Sequence, residues 1–194
     1  MITEETFLDF HCPYCGEPVS FPPDHAGTAQ ACPSCNESVL VPGTNGEPGA
    51  KIPLPVETAR LTLRRLAAGD WKGLLELMGH EEVFQYTEVN PMDEDAVLAW
   101  LERDCHVRFT TQGQPVYLGI ELKASGRLIG FIALHFTDPD RRQAQPEIYL
   151  LPECQRKGLA LEAAEALLGF CFEGLKLHRV SAACDSRNAA ARKL

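Results

Sequence analysis

The stretch that most constrains this chain is residues 147–166, EIYLLPECQRKGLALEAAEA. A short apolar run at 148–151 meets a breaker, Pro152, and an Ala/Glu/Leu-rich segment starts a few residues later. That order predicts a strand, a tight loop and a helix. The loop carries two cations, Arg156 and Lys157, and two small residues, Gly158 and Ala160, that let backbone come close to a bulky anion. The first N–H groups of the helix have no intrahelical partner and point at that anion. A phosphate-bearing cofactor is the simplest occupant.

At 194 residues and 45% apolar content, the chain can build one ordinary domain plus a small module. No apolar run approaches the roughly 20 residues of a membrane span. The first ten residues, MITEETFLDF, show neither a basic leader nor an apolar signal core, so a cytoplasmic protein is expected. The net charge of −9 is uneven: residues 1–50 hold seven acids and no Lys or Arg. A segment without cations cannot neutralise phosphates, which argues against nucleic acid as a partner.

Cys12, Cys15, Cys32 and Cys35 form C-x2-C-x16-C-x2-C. Zinc(II) takes four thiolates in a tetrahedron, and each pair supplies two from one tight turn. Pro follows the first Cys of each pair, and Gly16 or Asn36 follows the second, residues that tolerate a left-handed turn. Residues 18–21 and 38–41 alternate like short strands, with the turn between halves at 24–28. The segment resembles the small zinc ribbons headed by C-P-x-C-G. Two disulfides are the rival pairing, but nothing suggests secretion. Four thiolates leave no open position, so the zinc is expected to be structural and to supply folding energy. Cys105, Cys154, Cys171 and Cys184, scattered among apolar neighbours, read as reduced packing residues.

Residues 1–42 are thus expected to be the ribbon. Residues 43–55, GTNGEPGAKIPLP, lack periodicity and read as a Gly/Pro-rich linker, and 56–194 as the main domain. In that domain a strand is predicted at 60–66 and a helix at 71–78 with Asp70 as its cap. A second helix is predicted at 93–103. Strands follow at 117–122 and 128–136, joined by a turn at Ser125–Gly126. Residues 138–145 read as a polar loop, 147–151 as the fourth strand, 159–172 as the helix after the loop, and 179–184 as the fifth strand. Trp71, Trp100 and His135 read as core or rim residues, and Glu153, Glu162 and Glu165 as solvated.

Gln155, Arg156, Lys157, Gly158, Leu159 and Ala160 match the Q/R-x-x-G-x-G/A loop that holds the pyrophosphate of acetyl-coenzyme A in GNAT-type N-acetyltransferases. ETARLTLRRL at 57–66, GRLIGFIALHF at 126–136 and LKLHRVSAACDSRNAAARKL at 175–194 extend the resemblance in order. Together they resemble the ribosomal-protein N-acetyltransferase-like branch of that family. The resemblance implies an α/β (α+β) GNAT fold: a mixed central sheet with helices on both faces.

It also implies acyl transfer from acetyl-CoA to a primary amine, a protein N-terminus (ribosomal or other) or a small amine, by direct attack on the thioester. A neutral amine is the nucleophile and needs a base. A backbone N–H of the fourth strand stabilises the oxyanion, and the pantetheine arm inserts where strands four and five splay. By resemblance Ile148, Tyr149, Leu150 and Leu151 line that arm, Asn188 contacts it from the segment matching D-P-x-N, and Glu147 is the candidate base. The strand-to-loop segment is one or two residues shorter than the usual E-I-G-Y-W-L-x-P-E. Relatives continue for roughly thirty to forty residues beyond the point reached by Leu194, adding two strands, and many place a serine where Ala191 stands or a tyrosine just past Leu194 as the acid for the leaving thiolate. The sequence therefore reads as C-terminally truncated, lacking those last two strands and with impaired transfer. The alternative is a non-catalytic acyl-CoA-binding or protein-interaction module with the ribbon as its docking domain.

Overall fold

The computed structural model describes residues 7–15, 17–43, 50–87, 89–104, 115–138 and 142–194. Gly16, one of the two turn residues singled out above, and Cys105 lie outside them.

The N-terminal part consists of two hairpins of like design. Strands β1 (Leu8–His11) and β2 (Pro18–Phe21) pair antiparallel, with Phe10 opposite Val19. Strands β3 (Ala29–Ala31) and β4 (Ser38–Leu40) do the same, with Gln30 opposite Val39. Each hairpin is closed by a cysteine knuckle. The Cys12 N–H donates to the Glu17 carbonyl at 2.9 Å, and the Cys32 N–H to the Glu37 carbonyl at 2.8 Å. Asn36 takes the left-handed conformation (φ 63°) that the second knuckle requires.

The stretch read as a linker is partly built into the molecule. Ala50–Lys51 form β5 against β4, and Ile52 is buried in the main core together with Leu40. The apolar residues of IPLP explain this. Once the chain passes a core surface, burying Ile52 and packing Leu54 outweighs leaving them in water.

The main sheet has the order β11-β10-β9-β8-β7-β6. Its strands are β6 (Val56–Glu57), β7 (Leu61–Arg65), β8 (Val116–Leu122), β9 (Arg127–Phe136), β10 (Gln143–Leu150) and β11 (Arg179–Val180). All neighbours are antiparallel except β10 and β11, so the sheet is mixed. Both faces of β9 are buried from Leu128 to Leu134, which requires cover on both sides. On one side lie α1 (Trp71–Met78), α2 (Glu81–Phe84) and α3 (Glu94–Asp104). There Trp100 meets Tyr117 and Phe131, and Phe84 meets Tyr149, at centroid distances of 4.9 to 5.4 Å. The remaining helix, α4 (Leu159–Gly169), covers the other side through Leu159, Ala163 and Leu167 and ends in a wide π-helical turn at Phe170–Gly174.

Three expectations change. Of the polar loop expected at 138–145, residues 139–141 lie outside the described residues, and 143–145 belong to β10, which already begins at Gln143. Gln143 to Leu150 have one face or edge partnered by β9, and that ladder overrides their polar composition. The fifth strand stops after two residues instead of running to 184. In this ladder the odd-numbered residues of β10 bond to β9, as with the Thr137 N–H on the Gln143 carbonyl, and the even-numbered ones face β11, as with the Ser181 N–H on the Ala144 carbonyl. The next even position is Pro146, which has no N–H to give, so pairing ends there.

Asp70, finally, does not cap α1 with its side chain. Its carboxylate turns back to the Ala67 N–H (2.8 Å) and to both terminal nitrogens of Arg64 (2.8 Å each). The bidentate charged contact is the stronger partner. Asp93 does cap its helix, accepting the Ala96 N–H at 2.9 Å.

Candidate functional site

The early end of the β10–β11 ladder opens a cleft between the two strands. It has a volume of about 880 Å³ and is lined on the sheet side by Ile148, Tyr149 and Leu150 and on the loop side by Gln155, Arg156, Gly158 and Ala160. Val83 and Tyr86 wall it beside α2, and Asn188 and its neighbours up to Leu194 wall it beyond β11. Because even-numbered residues of β10 face this gap, the backbone of Ile148 is directed into it past Pro146. The Leu150 carbonyl faces the same way and accepts the Gln155 side-chain amide at 3.0 Å, fixing the start of the loop to the strand.

The loop itself is tightly bent. Arg156 (φ 59°) and Gly158 (φ 74°) both adopt the left-handed conformation, and Gly158 is the residue that precedes α4 with no side-chain cap. The first N–H groups of α4 are therefore left to the cleft. Two of the residues expected at the site are elsewhere: Leu151 and Leu159 are buried in the core, with the Leu151 N–H donating to the Ile129 carbonyl at 2.9 Å. Lys157 contributes its carbonyl to Arg60, at 3.0 Å. Asn188 stands on the cleft wall, and its side-chain oxygen accepts the Ala191 N–H at 3.0 Å, holding the turn that follows.

Glu147 lies on the α2–α3 face of β10, half-exposed, two residues from Tyr149. The Tyr149 hydroxyl donates to its carboxylate at 2.7 Å, and the His135 Nε2 lies 3.6 Å from the same oxygen. His135 and Tyr149 together hold the Glu147 carboxyl below its ordinary range, against the opposing effect of burial. Burial and the neighbouring carboxylate push the Tyr149 hydroxyl well above its ordinary value, so it stays a donor. The contact to His135 comes from strand register: Glu147 pairs with Ala133 and Gln145 with His135, a diagonal neighbour on one face. No local motif announces it.

Sequence reasoning also missed Glu162, which is not solvated. Its carboxylate accepts the Thr58 hydroxyl (2.6 Å), the Arg60 N–H (2.8 Å) and the Arg60 Nε (2.6 Å). These partners lie more than a hundred positions away, beyond the reach of any local signal.

In the N-terminal part the four cysteines converge. The Sγ atoms of Cys12, Cys15, Cys32 and Cys35 all lie within 4.8 Å of one another, with Cys12–Cys35 at 3.7 Å and Cys15–Cys32 at 3.9 Å. Tetrahedral zinc with bonds of about 2.3 Å separates its sulfurs by roughly 3.8 Å, whereas a disulfide brings them to about 2.05 Å. The donor set and spacing therefore fit a tetrahedral metal, and the disulfide pairing is not formed. Among the other cysteines Cys154 and Cys171 are buried as packing residues, but Cys184 is exposed, because β11 ends before it.

A mixed sheet that parts between a parallel pair of strands, over a glycine loop opening a helix, is the architecture of an acetyltransferase fold. The model of the acetyltransferase (GNAT) domain matches residues 60–194, and the chain belongs to the GNAT family of acetyltransferases. It is similar to the uncharacterized N-acetyltransferase YoaA of Bacillus subtilis, 26% identical over 140 residues, covering 72% of this chain and 78% of the relative. Among solved structures, a GNAT-family acetyltransferase from Bacillus anthracis superposes with a TM-score of 0.63 at 23% identity, over 71% of this chain and 78% of that one. The spermidine N-acetyltransferase of Vibrio cholerae, solved with CoA and spermine, gives 0.60 at 25% identity, over 70% and 78%. The matched family span begins at residue 60, so the four cysteines precede it. Among the described residues no helix is long and apolar enough to cross a membrane.

Proposed function

We propose that the chain transfers the acetyl group of acetyl-CoA to a primary amine at the cleft between β10 and β11. The observation that carries this is the bent 155–160 loop at the start of α4, facing a cleft into which the backbone of Ile148 is directed. In this reading Arg156 and the N–H groups around Gly158, Leu159 and Ala160 bind the pyrophosphate. Ile148 and Leu150 flank the pantetheine arm, and Asn188 closes it from the far wall.

The amine nitrogen attacks the thioester carbonyl carbon, the C–S bond breaks, and the leaving thiolate takes up the second proton that the attacking nitrogen sheds. In this reading the Ile148 N–H donates to the oxyanion. Glu147, held ionised by His135 and Tyr149, draws the cationic amine in and receives its proton, directly or through water. A protein N-terminus or a small amine would both satisfy this chemistry. The four cysteines hold one structural zinc, which keeps the two hairpins folded.

The test is calorimetric titration with CoA, alongside a thiol-release assay with basic peptides and small amines. Gly158→Glu places bulk and negative charge where phosphate must sit, at a backbone conformation disfavoured for any side chain. It should abolish CoA binding while leaving the fold intact. Unchanged affinity in that variant would rule out the loop as the pyrophosphate site.

A further inference from the structure

Thr58 and Arg60 sit on the tight turn between β6 and β7, where the Thr58 N–H donates to the Leu61 carbonyl at 2.9 Å. From this turn they reach across to the first turn of α4. Glu162 receives three donors there, and its side chain is only 17% exposed. The Arg60 guanidinium divides its contacts. Nε pairs with Glu162 at 2.6 Å, while Nη1 donates to the Lys157 carbonyl at 3.0 Å. Lys157 is the residue between the two left-handed positions, Arg156 and Gly158. A non-glycine residue seldom holds that conformation without outside support, and the bond to Lys157 supplies it.

We infer that Thr58, Arg60 and Glu162 form a clamp that positions the 155–160 loop for a pyrophosphate, with Arg60 as the positioning residue. This rests on the reading of that loop as the coenzyme site. Two effects act together. The clamp fixes the loop before the anion arrives, so binding loses less conformational freedom. It also neutralises a carboxylate that stands in the first turn of α4, on the end of the helix the phosphates approach. Without Arg60, Glu162 would face the incoming pyrophosphate as an uncompensated like charge. Thr58 and the Arg60 N–H orient the carboxylate toward the turn and keep the Glu162 carboxyl below its ordinary range. Arg60 itself is 47% exposed, so its removal takes little from the core.

The charge argument gives a sign that a merely structural role would not. Arg60→Ala should weaken CoA binding by about 10- to 100-fold, the loss expected when hydrogen bonds to a charged group are removed. Adding Glu162→Gln removes the uncompensated charge, so the double variant should bind CoA severalfold more tightly than Arg60→Ala alone. Arg60→Lys restores a positive charge but not the fork that also holds Lys157. Its affinity should fall between those of Arg60→Ala and the unaltered chain.

The measurement is calorimetric titration of CoA into the full chain and these three variants, with the melting temperature of each. Equal affinity of Arg60→Ala and the unaltered chain would overturn the clamp. So would a double variant that binds no better than Arg60→Ala. Should Arg60→Ala fail to fold, Arg60→Lys decides: affinity equal to that of the unaltered chain overturns the inference. Failure of the unaltered chain to bind CoA would be a distinct result, because it removes the coenzyme site itself.

Discussion

The Tyr149 hydroxyl donates to the Glu147 carboxylate at 2.7 Å, from a ring that is itself buried between Phe84 and Phe131. A side chain anchored by two aromatic contacts thus aims a half-exposed acid. Glu147 remains ionised throughout the neutral range, the state that the proposed transfer requires of it as a fixed charge for an ammonium and an acceptor for its proton. Glu147→Gln should lower kcat by about 100-fold or more and raise the KM for the amine, with CoA affinity unchanged. Steady-state thiol release at saturating acetyl-CoA, combined with CoA titration, separates these effects. An unaltered kcat would remove Glu147 from the reaction.

Metal analysis of purified protein should find about one zinc per chain. Burial acting alone would raise the Cys32 thiol, but the N–H groups of Cys35 and Ser34 and the adjoining thiols bring it down to about 6. Against the Glu37 N–H, burial and the adjoining thiols push Cys35 up to about 12, so the four sulfurs do not all carry charge at neutral pH without a cation between them. Cys32→Ser should lose the metal and expose Val19, Val39 and Val41, the small cluster the hairpins enclose. Loss of zinc by elemental analysis, together with a lower melting temperature, is the expected pair of results.

Gly130 carries a strict steric demand. Opposite β8 the register shifts between Ile120 and Glu121, so that Ile129 is an extra residue on β9. The bulge turns Gly130 so that an added Cβ would stand 2.0 Å from the Tyr149 carbonyl oxygen. Gly130→Ala should cost about 3 kcal/mol or more, since backbone on both strands would have to move. Chemical denaturation should show a lower midpoint, or the variant should accumulate as insoluble protein. A midpoint equal to that of the unaltered chain would show that the strands part freely there.

Stability should fall in acid through Asp70. Burial pushes its carboxyl up, but the Arg64 guanidinium and the Ala67 N–H prevail and hold it below its ordinary 3.8. The unfolded chain thus takes up this proton at a higher pH than the folded one. The contribution is present in full above about pH 4 and is lost as pH drops through the lower folded value. Asp70→Asn should cost about 1–3 kcal/mol at pH 7 and progressively less below pH 4. Thermal melts of both proteins between pH 3 and 7 would show the two curves converging in acid, and parallel curves would refute the linkage.

Several elements were legible in residues 147–166 and in the strand and helix patterns because each is a local matter. A glycine before an Ala/Glu/Leu run, a pair of cysteines two residues apart, and apolar spacing at 71–78 all act over a few residues. These patterns sufficed for the loop and the knuckles, and the ordered resemblance of four segments for the family. Pro146 was equally visible, but its consequence was not. Only once β10 is paired on one side by its odd residues does the missing N–H at an even position end the ladder and open the cleft. The same holds for His135 beside Glu147, for Ile52 in the main core, and for Arg60 and Thr58 on Glu162. Each of these contacts joins residues distant in sequence or depends on strand register, which local composition does not encode. The sequence by itself determined which chemistry the chain could carry. The tertiary structure decided which partners each carboxylate has, Tyr149 and His135 for Glu147 and Thr58 and Arg60 for Glu162, because that depends on which distant segments the fold brings beside each.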